Sequence, residues 1–398
     1  MDARLGTLAE LAVHGANLQE GQILAIGALI GQEDLARAVA AAAYRRGALF
    51  VDVLYFDPFV KRARIEHAAD ETLEFVPSWL PFRLNELADR GDARMSFAGV
   101  VAPDALEGVD AARLGRDQLP WLKESAKVID DRATNWTIVP CPHPAWARLV
   151  FPELDPAAAY EKLWGELWHV LRLDEDDPPA AWSDRVDALK ASADKLNERR
   201  FDAIELRGPG TELTLGLLPS SSWQAGDFTT REGLRHFPNL PTEEVFTAPD
   251  PTRVDGHVTS TRPLVLKDGA IIRGLRVRFE GGRAVELEAD ENGDALKAKL
   301  SLDDGSDRIG ELALVDRRGR IGPLGTIFYE TLLDENAASH IALGNAYAFS
   351  AGEEDRHRLN QSGIHIDFMV GSDELDVTGI TTDGERVPVL RGGDWQIS

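Results

Sequence analysis

Cysteine is almost missing from this chain: Cys141 is the single one in 398 residues. One thiol builds neither a disulfide framework nor a thiolate cage for a metal, and its scarcity fits a reducing compartment. Positive charge is also short, with 43 Lys and Arg against 67 Asp and Glu and a net charge of −24. Affinity for a phosphate backbone comes largely from Lys and Arg, so nucleic acid is not an expected partner. The negative field suits either attraction of a cationic peptide amino terminus or simple solubility, and composition does not choose between them. Long apolar runs are lacking as well. The best, Ile23 to Ile30, is the length of a core strand and far below the roughly twenty residues of a membrane span, so no membrane is expected. The start, Met1-Asp2-Ala3-Arg4-Leu5-Gly6, has no charged segment leading into an apolar one, which predicts no secretory signal and a cytoplasmic location. G-x-G-x-x-G after the first apolar run, G-x-x-x-x-G-K-[ST] and G-x-S-x-G are all absent, which removes support for a nucleotide site or a serine hydrolase.

What is there is a chain long enough for two cores, with 43% hydrophobic residues to fill them. In the first half, Gln22 to Leu29 and Leu49 to Phe56 are apolar runs separated by an alanine-rich helical stretch, Glu33 to Arg46. Strand, helix, strand in that order predicts a parallel sheet flanked by helices. Ser96 to Val101 and Trp136 to Val139 read as further strands, and Pro81 to Arg90 and Asp117 to Ala126 as helical stretches. Trp136 and Trp146 flank Pro140, Pro142 and Pro144 as packing anchors around a rigid turn. Two more helices, Ala157 to Leu173 and Ala181 to Arg199, lead to a domain boundary near Arg199 to Phe201. Beyond it, short β-prone runs are separated by turns such as Lys267-Asp268-Gly269 and Glu280-Gly281-Gly282. The expected architecture is an α/β Rossmann-like domain with a mainly parallel sheet over 1–200. It is followed by an α+β domain over 201–398 whose largely antiparallel, partly closed sheet carries the metal site.

The chemistry concentrates in the second half. Gly363 to Gly371 alternates Ile364, Ile366 and Phe368 with His365, Asp367 and Met369, a strand pattern that puts an imidazole and a carboxylate on one face. Such a pair can grip one metal ion, and half-buried strands carry polar pairs for other reasons too. Asp334 to Tyr347 opens with cap-type residues and continues with good helix formers, predicting a helix with Glu335 near its start and Asn336, His340 and Tyr347 on one polar face. A satisfied core histidine is the other reading of His340. Glu243 and Glu244, within Pro241 to Thr247, and Glu311, within Gly310 to Val315, stand at the edges of apolar runs. There a carboxylate is costly to desolvate without a cation or donor, or else it guards an exposed strand edge. Three Glu and one Asp would balance two divalent cations. Oxygen and imidazole donors without thiolate suit zinc, cobalt, manganese or magnesium in a catalytic site.

Four ordered segments carry a resemblance: N-L-P-T-E-E-V-F-T at 239 to 247, G-E-L-A-L-V at 310 to 315, F-Y-E-T-L-L-D-E-N-A-A-S-H-I-A-L-G-N-A-Y at 328 to 347, and N-Q-S-G-I-H-I-D-F-M-V-G-S at 360 to 372. With L-R-G-P-G-T-E-L-T-L-G-L at 206 to 217, the chain resembles the thermophilic aminopeptidase family of metallopeptidases, of aminopeptidase T and S type. The resemblance implies two divalent ions, zinc or cobalt foremost, held by Glu244, Glu311, Glu335, His340, His365 and Asp367. It further implies Tyr347 assisting catalysis, peptides with a free N-terminus as substrates, and a homodimer. Glu243, where some members have Gly, is a further candidate for proton transfer or for holding the substrate amino group. The expected activity is removal of N-terminal residues by activated water. The rival readings are a metal-dependent hydrolase of another amide or ester, and a non-catalytic protein that retains metals.

Overall fold

In the computed structural model, residues 2–397 are described apart from 118, 121, 123, 267 and 268, together with the backbone but not the side chains of 111 and 126. The chain forms two compact units, 1–183 with 227–242, and 184–226 with 243–398. The division therefore falls inside the helix Pro178–Arg199, after Ser183, and the first unit takes back a later segment. The sequence reading set a single break near 200, at the helix end, because a returning segment has no compositional mark.

The first unit is built on the parallel sheet β2-β1-β3-β4, formed by β1 (Ile23–Leu29), β2 (Phe50–Phe56), β3 (Ala93–Ala98) and β4 (Trp136–Pro140). The helix Glu33–Arg45 makes the β1-to-β2 crossover and buries Leu35, Ala36, Val39, Ala42 and Ala43, so the alanine run is a close-packing face. Trp146 is fully buried, as an anchor should be. Where one helical stretch was expected over Asp117 to Ala126, helices span Ala111–Arg116 and Glu124–Asp130, and part of the interval lies outside the described residues.

In the second unit the sheets are antiparallel. An eight-stranded sheet has the order β11-β10-β9-β6-β5-β15-β16-β17. Its members are β5 (Ala203–Gly208), β6 (Thr211–Leu217), β9 (Pro249–Thr259), β10 (Arg276–Glu280), β11 (Arg283–Glu288), β15 (Asp376–Ile380), β16 (Arg386–Arg391) and β17 (Asp394–Trp395). The β10–β11 hairpin turns at Gly281 and Gly282, both at positive φ. The expected Lys267-Asp268 turn lies outside the described residues, between the paired segments Leu264–Val265 and Ile271–Ile272.

A five-stranded sheet, β14-β13-β12-β8-β7, consists of β7 (Gln224–Ala225), β8 (Glu244–Thr247), β12 (Ile309–Val315), β13 (His340–Gly344) and β14 (His365–Met369). One core joins it to the larger sheet, with Val245, Leu312, Leu314, Ile341, Leu343 and Phe368 packed against Leu206, Leu213, Val254 and Val377.

The long helix expected over 334–347 is not formed. Thr331–Glu335 is a short helix with Glu335 at its end, and His340–Gly344 is a central strand. Alanine favours a helix by only tenths of a kcal/mol per residue over most residues. Hydrogen bonding to strands on both sides, with Ile341 and Leu343 buried on the core face, outweighs that preference.

Candidate metal centre

The register of the five-stranded sheet assembles the site. Glu311 pairs with Ala342, and Ala342 pairs with Asp367, so the three lie in a row across β12, β13 and β14 on the same face. His340 is two residues before Ala342, and His365 two before Asp367, so both imidazoles share that face. Glu244 pairs with Val315, four residues along β12 from Glu311, and joins the same side. The opposite side carries Leu312, Leu314, Ile341, Leu343 and Phe368, the core set.

Between the polar side chains the sheet presents only small residues, Ala313 opposite His340 and Ala342 between Glu311 and Asp367. That leaves room above the sheet. Register also shifts between Ile309 and Glu311, where a bulge re-aims the strand. Glycine is required at the bulge, because a Cβ on Gly310 would sit 2.2 Å from the Gly344 carbonyl oxygen.

Two groups of donor atoms result, Glu244 with Glu311 and His340, and Glu311 with His365 and Asp367, each lying within 4.8 Å of one another. Glu311 belongs to both. One of its oxygens lies 3.7 Å from His340 Nε2 and the other 3.9 Å from His365 Nε2. Glu244 is 3.1 Å from His340 Nε2, and Asp367 is 3.2 Å from His365 Nε2. Each imidazole is aimed from behind: His340 Nδ1 donates to the Ala338 carbonyl at 3.1 Å and His365 Nδ1 to the Asn345 carbonyl at 2.8 Å. A carbonyl only accepts, so Nδ1 carries a hydrogen in both rings and Nε2 is the nitrogen turned toward the carboxylates.

These residues fit divalent cations. Glu244 Oε2 and His340 Nε2 are buried, face one another and make no hydrogen bond. A native protein rarely leaves such a pair without a partner, and a cation between them satisfies both. The titration behaviour of the metal-free protein agrees. Burial pushes the Glu311 carboxyl up. Burial and the charges of Asp367 and Glu244 push Glu335 well above the carboxylate range. Burial works against the imidazolium of His365, yet Asp367 and Glu311 raise it to about 9. The same contest is won by Glu244 and Glu311 at His340, which is held well above the ordinary histidine value. Four carboxylates crowd a dry face, and protons stand in for the missing positive charge.

Glu335 lies outside both donor groups. Its side chain is held at the end of the short helix by a long hydrogen bond of 3.4 Å from Asn336 Nδ2, with Asp367 and Glu244 the strongest charges acting on it. Tyr347 follows β13 rather than sharing a helical face with His340. Its ring is 5.8 Å from His365 and 6.0 Å from Phe246, and it stacks on Phe349 at 5.2 Å. Burial and the charges of Glu311 and Asp367 hold its phenol protonated, well above its usual range.

Glu243 is not brought to the cluster. It is wholly buried, with Oε2 2.5 Å from Arg185 Nε, and Arg185 also binds Asp316 at 2.8 Å. It precedes Glu244 at the start of β8, and successive side chains on extended backbone point opposite ways. The sequence reading missed Arg185 and Asp316, which lie 58 and 73 residues from Glu243 and stand in no motif. Phe246, two residues beyond Glu244 on the same face, is legible from period two.

A carboxylate-rich, imidazole-bearing face on an antiparallel sheet is a candidate centre for a divalent metal ion. The family model described as thermophilic metalloprotease (M29) matches residues 1–395, and the chain belongs to that family. It is 44% identical over 410 residues to "Aminopeptidase T" of Thermus aquaticus, with all of both chains covered. Identity to "Aminopeptidase 2" of Geobacillus stearothermophilus is 37%, covering 99% of this chain and 98% of the other. The solved structure of "Wild-type AmpT from Thermus thermophilus" superposes with a TM-score of 0.91 at 41% identity, over 99% of each chain.

Proposed function

We propose that this protein is a metal-dependent aminopeptidase that releases N-terminal amino acids from peptides. The observation that carries the reading is the shared carboxylate: Glu311 turns one oxygen to each histidine, so the two donor groups form one dinuclear cradle. Glu244, Glu311, Glu335, His340, His365 and Asp367 would hold two divalent ions, zinc or cobalt before manganese or magnesium. Such ions would supply Lewis acidity for the scissile carbonyl and for an attacking water.

The chain's own residues do the rest. The Tyr347 phenol donates a hydrogen bond to the oxygen on which negative charge develops. Glu335 reaches the set from the end of the short helix, with its side chain held by Asn336. Phe246 and Phe349, on either side of Tyr347, exclude water beside the reacting bond. Among the described residues no helix is long and apolar enough to cross a membrane. A partly closed sheet around the centre, a cytoplasmic location and a homodimer, the last measurable by sedimentation, belong to the same reading.

The test is hydrolysis of leucyl p-nitroanilide by purified protein after chelation, and again after adding back cobalt or zinc. Activity that is lost and then restored, and that is absent on an N-blocked analogue, is the expected result. Hydrolysis of blocked substrates alone transfers the site to another amide or ester, and bound metal without any turnover makes the protein a binder.

A further inference from the structure

We propose that Asn336 is a positioning residue that sets Glu335 against the start of β8, and so against Glu244, through the two atoms of its side-chain amide. It rests on the metal-binding reading above. Asn336 is completely buried. Its Oδ1 accepts a 2.6 Å hydrogen bond from the Glu243 backbone N–H, one residue from Glu244. Its Nδ2 donates to the Leu332 carbonyl at 2.9 Å and to Glu335 Oε1 at 3.4 Å.

Amide geometry makes this a link and not three separate contacts. Oδ1 and Nδ2 are fixed relative to one another in a plane, so the Glu243 N–H and the Glu335 carboxylate cannot move apart without breaking one of the bonds. The Leu332 carbonyl fixes which end of the amide faces which partner, because only Nδ2 can donate to it. The Glu243 N–H needs an acceptor, which leaves Oδ1.

The far side of β8 is anchored independently. Arg185 bonds the Glu243 carboxylate at 2.5 Å and Asp316 at 2.8 Å, and Asp316 directly follows β12, the strand that carries Glu311. Trp395 Nε1 and the Arg318 N–H donate to Asp316 at 2.9 Å each, completing its shell. Glu244 is thus fixed from behind by a salt-bridged neighbour, and Asn336 spans from that fixed point to a short helix of five residues with little stability of its own. Without the amide, Glu335 would keep only a one-turn helix to define its place.

The experiment titrates metal-free protein with cobalt, reading visible absorption, and measures kcat and KM on the same preparations. Asn336→Ala and Asn336→Asp are compared with wild type, with Glu335→Ala, and with the double variant Glu335→Ala/Asn336→Ala. Asn197→Ala serves as control, because Asn197 likewise holds a backbone N–H and C=O, those of Trp223, away from the cluster. Near-UV circular dichroism establishes that each is folded.

The expected result is cobalt affinity at least about 10-fold weaker in Asn336→Ala, with kcat lowered more than KM is raised, as for groups that orient metal ligands. The control should lose thermal stability and keep its cobalt affinity. In the Glu335→Ala background the second change should add less than about 2-fold, since the effect travels through Glu335. Should Asn336→Ala fail to fold, Asn336→Asp, which keeps the acceptor and loses the donor to Glu335, carries the same comparison. Wild-type cobalt affinity and kinetics in a folded Asn336 variant, or full additivity in the double variant, would overturn the proposal while leaving the metal reading standing. No cobalt bound by wild type would sink both.

Discussion

Glu243 and Glu244 are neighbours in sequence with the same side chain, and the fold gives them opposite surroundings. Glu243 turns away from the polar face to a guanidinium that has been in the chain all along, and its charge is matched inside the protein. Glu244 turns to a face where, among the described residues, no Lys or Arg pairs with it and its buried oxygen meets the Nε2 of His340. Burial is nearly the same for the two, so burial does not distinguish a structural carboxylate from a ligating one. The difference is whether the protein itself supplies the compensating cation.

The strongest way to test that comparison is to remove each carboxylate in turn. Glu244→Ala, like His340→Ala, is expected to lower kcat/KM by about 1000-fold or more, because metal chemistry contributes several kcal/mol to the transition state. The metal-free fold should be unchanged by circular dichroism. Glu243→Ala should do the reverse. Loss of one partner of a buried pair leaves Arg185 undercompensated and costs roughly 3–5 kcal/mol, read by urea unfolding, while turnover per folded molecule falls far less than in Glu244→Ala. A Glu243 variant that stays fully stable and loses catalysis would erase the distinction.

Next in size is Tyr347→Phe, expected to lower kcat by about 100-fold with KM little changed in steady-state kinetics, the magnitude of one lost oxyanion donor. An unchanged kcat would leave Tyr347 as part of the aromatic wall with Phe246 and Phe349.

The smallest effect is in pH, and it concerns the polar face of the five-stranded sheet, where His340, His365, Glu311 and Glu335 all titrate upward. His365 is raised to about 9 in metal-free protein, and His340, Glu311 and Glu335 move in the same direction. The folded state therefore holds more protons than the unfolded chain: the His365 contribution to stability is fully present below about 6.5 and is lost as pH climbs through about 9, while those of Glu311 and Glu335 begin to fall above the ordinary carboxylate value of 4.5. A cation has to displace those protons, so metal affinity should rise with pH over the same window, by about 10-fold per unit for each proton released. Thermal melts of chelated and metal-loaded protein from pH 6 to 9 should slope in opposite directions. Parallel slopes would mean that no proton is exchanged for metal.

Sequence disclosed what is periodic. The alternation around His365 and Asp367 marked a strand with both side chains on one face, and the β1, helix, β2 order marked a parallel sheet. It failed where propensity and period disagreed. Ala337, Ala338, Ala342 and Ala346 suggested a helix, although His340, Ala342 and Gly344 alternate with Ile341 and Leu343 as a strand does. Two flanking strands, far away in sequence, decide the matter. Distance also hid Arg185, so Glu243 was taken as a chemical group on its closeness to Glu244, although extended backbone sends adjacent side chains apart.

Ala342 has a consequence for how such chains are recognised. A methyl group is the whole of what the sheet places between Glu311 and Asp367. A chain with valine there would still spell every acid and imidazole in order, and any reading by ligand letters would count it intact. Its cradle would nonetheless be filled with hydrocarbon. The capacity to hold an ion is written as much in the residue that stays small as in those that bind, and empty volume leaves no letter of its own.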